Sequence, residues 1–426
     1  MTCALLLDTL RQGTGGVASA LDLAEGLAAQ GFDVWVVVIR YDPGWSRTYS
    51  AYAPRAEKSG VRVLYSPGAA WRWDARLWWL ITLVEGRGGK RGLRRVARRV
   101  ADRLLALRAA PPELEQILSR SGVLVSAAGL TGFQVADLRR KIPGLIVLNH
   151  AGSPVAFEEH WLKEWHRPPG RDTPEDLYTA FLLSFDLILC QLDDHARACA
   201  SRHQQLQGRV ITIRPTCDEI AIERARQDGS PYPSGAVPVA VVGTIQSRKG
   251  QLKAVRAFAR LAKSDPMASL QLVGDDQADP AYTKIVKSEV RRIGLQTSVS
   301  FQGHRRDYLK FLVHAAVLLV TSEAEGIPRV VREAMAAGVP VVGFELDGFD
   351  EVAATPGQAR WVTPGDLEGL SNALIEVAAS VPERRRMAEL ARTDYEARWS
   401  REEYERALRN FSGQVKLLLT RDKVGE

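Results

Sequence analysis

The sequence predicts an α/β protein built from two doubly wound parallel sheets, and three observations indicate this fold class. Short apolar runs bounded by turn residues recur along the chain, as buried parallel strands do. Helical patterns lie between many of these runs. A stretch rich in proline, glycine and serine divides the runs into two series.

The first series predicts the strands of one domain. Its runs are Ala4–Leu7, Val34–Ile39, Val61–Tyr65, Val123–Val125, Leu145–Leu148 and Leu187–Leu189. The series stops at 209–213, and the residues that follow are rich in proline, glycine and serine, as linkers are. We therefore predict a first domain over residues 1–214 and a linker over 215–237.

The second series predicts another sheet of the same kind. Its runs are Val239–Val242, Ser269–Val273, Val299–Phe301, Val317–Val320 and Val339–Gly343. We assign residues 238–400 to this second domain, which would face the first across a cleft. Residues 401–426 are strongly helical, and we expect this helix to pack back on the first domain.

Composition excludes several classes of protein. A hydrophobic fraction of 46% excludes a disordered chain, and four cysteines without a C-x-x-C pair favour buried thiols in a reducing compartment. We find neither a secretory signal nor an apolar run near the ~20 residues that a membrane-spanning helix needs. We expect a cytoplasmic protein.

The segment from Thr321 to Val342 predicts strand, loop, helix and strand in succession. Pro328 suits the first turn of the helix, and Gly338 suits its end. The helix N-terminus would then point into the loop 325–327, at the carboxyl end of a strand, where open α/β sheets bind ligands. Its free N–H groups would suit a phosphate.

Glu333 lies within this predicted helix. A glutamate on a helix is usually a solvated surface residue. Here the small residues 334–338 follow, which indicates a helix face packed closely on a sheet. A carboxylate beside such a face needs a partner or a ligand.

Glu325 and Glu333 form an E-x7-E pattern, and the surrounding E-G-I-P and E-A-M-A-A-G-V-P-V-V segments resemble the donor-site signature of family 4 retaining glycosyltransferases of the GT-B fold. The resemblance implies that Glu325 lies beside the donor sugar as a catalytic residue and that Glu333 binds the ribose hydroxyls of the sugar nucleotide. It also implies four further donor-binding residues: Gly326, Ile327, Arg329 and Val330. The next segment is similar to the family's G-G-x-x-E-V element, with Asp347 in place of the first glycine.

The segment from Val241 to Gln251 resembles the family's V-G-R-x-x-x-x-K-G phosphate loop. The resemblance makes Gly243 a donor-binding residue and Lys249 both a donor-binding and a catalytic one, whose ammonium would stabilise the leaving diphosphate. Thr244 stands where the family has arginine, so two candidates remain for the second cation, Arg248 and Arg329. No D-x-D motif occurs, and we expect neither a metal nor a cofactor.

Two features of the first domain also resemble the family. A glycine-rich turn opens the first helix, and its Gly15 and Gly16 are similar to the family's N-terminal G-G loop, which approaches the donor phosphates. His150 follows the strand 145–148, where the family often places a histidine that contacts the donor sugar. We include His150 among the catalytic candidates.

Residues 71–108 combine four tryptophans with eleven arginines and lysines against three acidic residues. Such a segment can bind an anionic membrane surface, can bind nucleic acid, or can be a basic helix exposed to water. The resemblance favours the inner face of a membrane over nucleic acid, because many family members glycosylate lipid-linked acceptors.

Together, the resemblance implies two Rossmann-like domains and a metal-independent retaining hexosyltransferase of the kind used in polysaccharide biosynthesis. The donor would be a UDP- or GDP-sugar, and the acceptor a glycan or a lipid-linked glycan. The alternative is a catalytically silent protein of the same fold that binds a sugar nucleotide or a partner, which Thr244 and Asp347 leave open. A nicotinamide oxidoreductase would need G-x-G-x-x-G at the first turn, and residues 13–18 do not supply it.

Overall fold

The computed structural model describes residues 1–7, 10, 15–39, 55–65, 112–127, 139, 142–149, 174–323, 325, 327–346 and 348–422. The chain divides into two compact units. The first comprises Met1–Ile213 together with Glu405–Glu426, and the second comprises Arg214–Tyr404.

The first unit is built on a seven-stranded parallel sheet in the order β3-β2-β1-β4-β5-β6-β7. Its strands are β1 (Thr2–Leu7), β2 (Asp33–Val38), β3 (Arg62–Tyr65), β4 (Ser121–Ser126), β5 (Leu145–Asn149), β6 (Leu187–Cys190) and β7 (Val210–Thr212). Its helices include α1 (Gly15–Ala29), α2 (Pro112–Arg120), α3 (Pro174–Leu183) and α4 (Asp193–Arg202). The apolar runs of the inner strands are buried because the neighbouring strands and helices cover them, whereas the edge strand β3 is only partly buried.

The second unit is built on a six-stranded parallel sheet in the order β10-β9-β8-β11-β12-β13. Its strands are β8 (Val237–Val242), β9 (Ala268–Val273), β10 (Val299–Gly303), β11 (Val317–Val320), β12 (Val341–Phe344) and β13 (Ala359–Val362). Its helices are α5 (Glu219–Gln227), α6 (Gln251–Ser264), α7 (Pro280–Arg292), α8 (Tyr308–Val313), α9 (Arg329–Ala337), α10 (Phe349–Val352), α11 (Leu367–Ala379) and α12 (Val381–Arg398). The last helix, α13 (Arg401–Asp422), begins in this unit and belongs to the first unit from Glu405 onward.

The strand order of the second sheet reverses direction between β8 and β11. Chain order runs outward from β8 through β9 to β10 on one side, and from β11 through β12 to β13 on the other. The loops that follow β8 and β11 therefore leave the same edge of the sheet and diverge from adjacent positions. A crevice forms at such a reversal, and it is the usual ligand site of an open parallel sheet.

An apolar core supports that edge. Val239 and Leu319 from the two central strands are buried against Val255 and Phe258 of α6 and against Leu374 of α11. Each of these side chains is at most 1% exposed. The strand ends that carry the two loops are thus fixed by close packing.

The structure corrects one expectation and adds one strand that the sequence did not predict. Residues 219–227, which we predicted to be part of a linker, form α5, whose Ile222 and Ala225 are buried. The proline- and glycine-rich composition is concentrated after this helix, between Asp228 and β8. The edge strand β13 was not predicted, because its four residues are all only partly buried and show no alternation of polar and apolar side chains. None of the described helices is long and apolar enough to span a bilayer.

Candidate functional site

The loop after β8 is held against the segment after β11 by a glycine. A short 3-10 turn, Ser247–Lys249, ends at Gly250, whose φ of 69° lies in the left-handed region, and α6 begins at the next residue. A Cβ atom at Gly250 would lie 2.1 Å from the carbonyl oxygen of Thr321. Only glycine allows the two segments to approach so closely.

The side chain of Gln251 fixes the shape of the same loop. It is 1% exposed. Its Nε2 donates to the carbonyl oxygen of Thr244 at 3.0 Å, and its Oε1 accepts from the backbone N–H of Gln246 at 3.3 Å. One buried amide thus satisfies two backbone groups of a loop that has no strand partner there.

Two further hydrogen bonds join the loops after β8 and β11. The backbone N–H of Glu323 donates to the carbonyl oxygen of Arg248 at 2.8 Å. The Thr321 hydroxyl donates to the carbonyl oxygen of Lys249 at 3.0 Å. The side chains of Arg248 and Lys249 are therefore presented beside the residues that follow β11.

These hydrogen bonds between the loops place two cationic side chains beside one carboxylate. Lys249 Nζ lies 2.5 Å from Glu325 Oε1, and Arg248 Nη1 lies 3.3 Å from Glu325 Oε2. Gly243 borders this cluster, because a Cβ atom placed on it would lie 3.5 Å from Lys249 Cε. The three charged residues together carry one net positive charge, as a site for an anion requires.

The Glu325 side chain is 10% exposed and remains a carboxylate. Burial by itself would raise its pKa. The Lys249 ammonium, a hydrogen bond from Ser322 and the Arg248 guanidinium outweigh burial and hold the pKa of Glu325 below its ordinary value. The group is therefore an acceptor at neutral pH and has no proton to give.

Helix α9 begins directly after this cluster. Pro328 occupies the N-cap position, one residue before the first helical turn in which the sequence placed it, and Arg329 is the first helical residue. The helix ends at Gly338, whose φ of 65° lies in the left-handed region, as the sequence predicts. The small-residue face of α9 is buried, with Ala334 and Ala337 at most 3% exposed.

Glu333, on the second turn of α9, is 2% exposed and has two partners. The Tyr308 hydroxyl donates to Glu333 Oε1 at 2.6 Å. Arg329 Nε donates to the same oxygen at 2.8 Å, one helical turn away. The expectation that a carboxylate on this face needs a partner agrees with these contacts.

Arg332, the neighbour of Glu333, anchors α9 on its other side. It is 1% exposed, and its Nη1 donates to the carbonyl oxygens of Pro215 and Thr216, the latter at 2.9 Å. These carbonyls belong to the segment with which the chain enters the second unit. The helix that carries Glu333 is thereby tied to that entry.

The structure groups most of the candidate residues of the second unit. Lys249, Arg248 and Glu325 form one cluster, while Arg329 and Glu333 form a second with Tyr308. Gly243 and Thr244 lie in the loop that carries Lys249. In the sequence, Ile327 lies two residues after Glu325, and Val330 directly follows Arg329. Arg248, not Arg329, is the arginine paired within the Lys249 cluster.

The remaining candidates fall elsewhere. Gly15 and Gly16 are the first residues of α1, in the first unit. His150, Gly326, Asp347 and the basic segment 71–108 lie outside the described residues. The sequence did not lead us to Gln251 or Tyr308. Gln251 could have been found from its position directly after the K-G pair, whereas no sequence signal marks Tyr308.

The fold is shared with known proteins over nearly the whole chain. A glycosyltransferase from Rickettsia africae has a TM-score of 0.70 and 14% identity, covering 98% of both chains. HepE of Anabaena, solved with UDP and glucose, has a TM-score of 0.66 and 17% identity, covering 97% of this chain and 99% of the other. The protein has the GT-B fold, with two Rossmann-like parallel-sheet domains.

The second unit carries the more specific match. Residues 227–394 match the family described as "Glycosyl transferases group 1". The lipopolysaccharide core biosynthesis glycosyltransferase LpsE of Rhizobium meliloti (strain 1021) is 27% identical over 224 residues, which are 52% of this chain and 63% of LpsE. The chain thus spans less than two thirds of the length of this relative.

Proposed function

We propose that the protein is a metal-independent retaining glycosyltransferase that moves a sugar from a UDP- or GDP-sugar to a glycan or lipid-linked acceptor. The observation that carries the proposal is the cluster of Arg248, Lys249 and Glu325 where the second sheet reverses direction. The match of residues 227–394 to the group 1 glycosyl transferases supports it.

The chemistry of the transfer explains the two cations. When the bond from the sugar to a nucleoside diphosphate breaks, negative charge grows on the phosphate oxygen that leaves. Fixed positive groups stabilise such charge most when the protein already holds them in place. Lys249 and Arg248 are held by backbone bonds of their loop to Thr321 and Glu323.

Glu325 would then have a role beside the sugar. Its carboxylate is held ionised, so it can accept hydrogen bonds from sugar hydroxyls or stabilise positive charge that develops at the anomeric carbon. The retaining outcome, with attack on the face from which the phosphate leaves, is taken over from the family that the E-x7-E signature resembles. His150 stays a further catalytic candidate on the same basis.

Glu333 would bind the ribose. It is the only one of the two motif carboxylates that lies on a helix, and it is balanced by one cation, so it suits neutral hydroxyls better than phosphate. Arg329 serves this carboxylate, which leaves Arg248 as the second cation for the diphosphate in place of the arginine missing at Thr244.

The proposal is tested by a panel of UDP- and GDP-sugars, with hydrolysis and nucleotide release as the readouts. We expect turnover of at least one donor, and we expect it to survive EDTA because Lys249 and Arg248 supply the positive charge. Loss of activity on chelation that Mn²⁺ restores would refute metal independence. Binding of a nucleotide without turnover of any sugar nucleotide would favour the catalytically silent alternative.

For the acceptor, we propose a lipid-linked or polymeric glycan at the inner face of the membrane, as the role of LpsE in lipopolysaccharide core biosynthesis suggests. The basic segment 71–108 is the candidate membrane contact. We expect the protein to float with anionic liposomes and not with neutral ones, and replacement of Arg94, Arg95, Arg98 and Arg99 by Gln to abolish flotation. Binding to nucleic acid at physiological salt without flotation would overturn this assignment.

A further inference from the structure

Tyr308 is a side chain of the second unit that no motif assigns to the site. It is the first residue of α8, 25 positions before Glu333 in the sequence. Helices α8 and α9 contact each other, and this contact places the Tyr308 hydroxyl on the Glu333 carboxylate at 2.6 Å. The hydroxyl therefore donates a hydrogen bond to the residue that we propose binds the ribose.

The two hydrogen bonds to Glu333 are unevenly distributed. Tyr308 and Arg329 both donate to Oε1, and among the described residues no donor reaches Oε2. One carboxylate oxygen accepts about two hydrogen bonds through its lone pairs, so Oε1 is filled. Oε2 is the oxygen that a ligand can use.

Tyr308 and Arg329 contribute in different ways. Arg329 balances the charge of a carboxylate that is 2% exposed, and such a buried charge needs a partner. Tyr308 adds a second hydrogen-bond donor, from another helix, without adding charge. Two donors from different helices restrict rotation of the carboxylate about its last bond more than a single donor on α9 would.

A tyrosine is well suited to this task. Burial and the adjacent Glu333 carboxylate raise the pKa of the Tyr308 hydroxyl, so it keeps its proton throughout the physiological range and always donates. Phenylalanine would preserve the ring and remove only the donor.

We propose that Tyr308 is a positioning residue for the donor site, which together with Arg329 fills Glu333 Oε1 and directs Oε2 to the ribose hydroxyls. This inference rests on the proposed function, because it presumes that Glu333 receives a nucleotide. It adds a residue through which the site distinguishes a ribonucleotide from its deoxy analogues.

The test compares Tyr308→Phe with a matched control, Tyr232→Phe. The Tyr232 hydroxyl donates to the carbonyl oxygen of Phe311 at 2.8 Å, so the control also removes one tyrosine hydroxyl bond at α8 but leaves Glu333 untouched. The ligands are UDP and GDP, each beside its 2′-deoxy and 3′-deoxy analogues, with affinity measured by calorimetry.

We expect the parent and Tyr232→Phe to bind the intact nucleotide about tenfold more tightly than the analogue that lacks the bound hydroxyl, on the scale of one hydrogen bond to a charged group. In Tyr308→Phe we expect the affinity for the intact nucleotide to fall about tenfold and that for the deoxy analogue to change little, so the ratio approaches one. If Tyr308→Phe does not fold, Arg329→Lys provides the same readout, because lysine keeps the charge and loses the Nε bond.

Three results would overturn the inference. An equal loss of affinity for intact and deoxy nucleotides would show that Tyr308 only maintains the fold around the site. Affinities for both nucleotides that stay at the parent's values would show that Glu333 needs no second donor. If the parent binds neither UDP nor GDP, the proposed function fails first, and this result is distinguishable because it does not depend on either variant.

Discussion

The two carboxylates of the E-x7-E motif are eight residues apart and have contrasting environments. Glu325 lies in a loop, 10% exposed, between two cations from another loop. Glu333 lies on a helix, 2% exposed, with one cation from its own helix and a neutral hydroxyl from a second helix. The same residue type therefore belongs to a positively charged cluster in one case and to a neutral one in the other.

This difference indicates a division of tasks. Excess positive charge at the Glu325 cluster suits an anion and the charge that grows when a phosphate leaves. The charge balance around Glu333 suits neutral hydroxyls, which are recognised by direction more than by charge. We expect substitutions at the first cluster to lower turnover and substitutions at the second to lower affinity.

The largest expected effect is at Lys249. Lys249→Ala removes the cation 2.5 Å from Glu325 and should lower kcat by about 10²–10³-fold, the usual result of deleting one preorganised charge-stabilising donor. The measurement is the steady-state turnover of whichever sugar nucleotide the parent accepts.

Lys253→Ala is the matched control for this experiment. Lys253 lies in the first turn of α6, four residues after Lys249, and also pairs with a glutamate of the segment after β11, but that partner, Glu323, is 54% exposed. We expect its kcat to stay within a factor of about two or three of the parent, as surface ion pairs contribute little. An equal loss of kcat in Lys249→Ala and Lys253→Ala would contradict a special role for the Lys249 cluster in turnover.

The second prediction concerns Glu333. Glu333→Ala should weaken binding of the sugar nucleotide by about 1–3 kcal/mol, the scale of hydrogen bonds to a charged group. Calorimetry with the nucleotide alone measures this loss, and the kcat at saturating donor should change less than it does in Lys249→Ala. Equal donor affinity in variant and parent would remove Glu333 from the ribose.

The third prediction tests whether the loop of the first cluster depends on its buried amide. Gln251→Ala leaves the Thr244 carbonyl and the Gln246 N–H without their side-chain partner and should lower the free energy of unfolding by about 1–2 kcal/mol. Hydrogen exchange should accelerate at the Glu323 amide, which bonds this loop, and stay unchanged within α9. Uniform acceleration in both places would indicate that the two clusters are not independent.

The smallest effect is a pH dependence of stability that comes from Glu325. Its pKa is held below the ordinary value of 4.5, so the folded state gains stability from the carboxylate above that pH and loses it as the pH falls through the folded pKa. The stability difference between the parent and Glu325→Gln should be constant from about pH 5 to 7 and should narrow below about pH 4. A difference that does not change down to pH 3 would contradict the ion pairing.

Much of the fold was predictable because buried parallel strands leave long apolar runs. The strand Val317–Val320 was predicted with its observed bounds, whereas β13 was missed since an edge strand of four partly buried residues carries no such run. Helix α5 was hidden by the prolines that surround it. The reversal of strand order between β8 and β11 could not be predicted, because alternating strands and helices do not determine the order of the strands in the sheet.

The candidate residues were predictable where each lies within a sequence motif. The sequence indicated Lys249 and Glu325 through two separate motifs, and the structure brings them to 2.5 Å because their loops leave adjacent strands. Tyr308 could not be predicted, because nothing near it in the sequence distinguishes it from any tyrosine at the start of a helix. Its position depends on the packing of α8 on α9, which is a tertiary property.

The bonds of Arg332 to the carbonyls of Pro215 and Thr216 have a consequence for recombination of this fold. Exchanging the second unit between related proteins is a way to transfer donor preference. If the unit is defined by its strands, the junction of such a chimera would be placed at strand β8. A cut there would leave behind both carbonyls and leave the Arg332 guanidinium, 1% exposed, without them next to Glu333. A chimera that exchanges the second unit should therefore be joined before Arg214, so that the module carries its own entry segment.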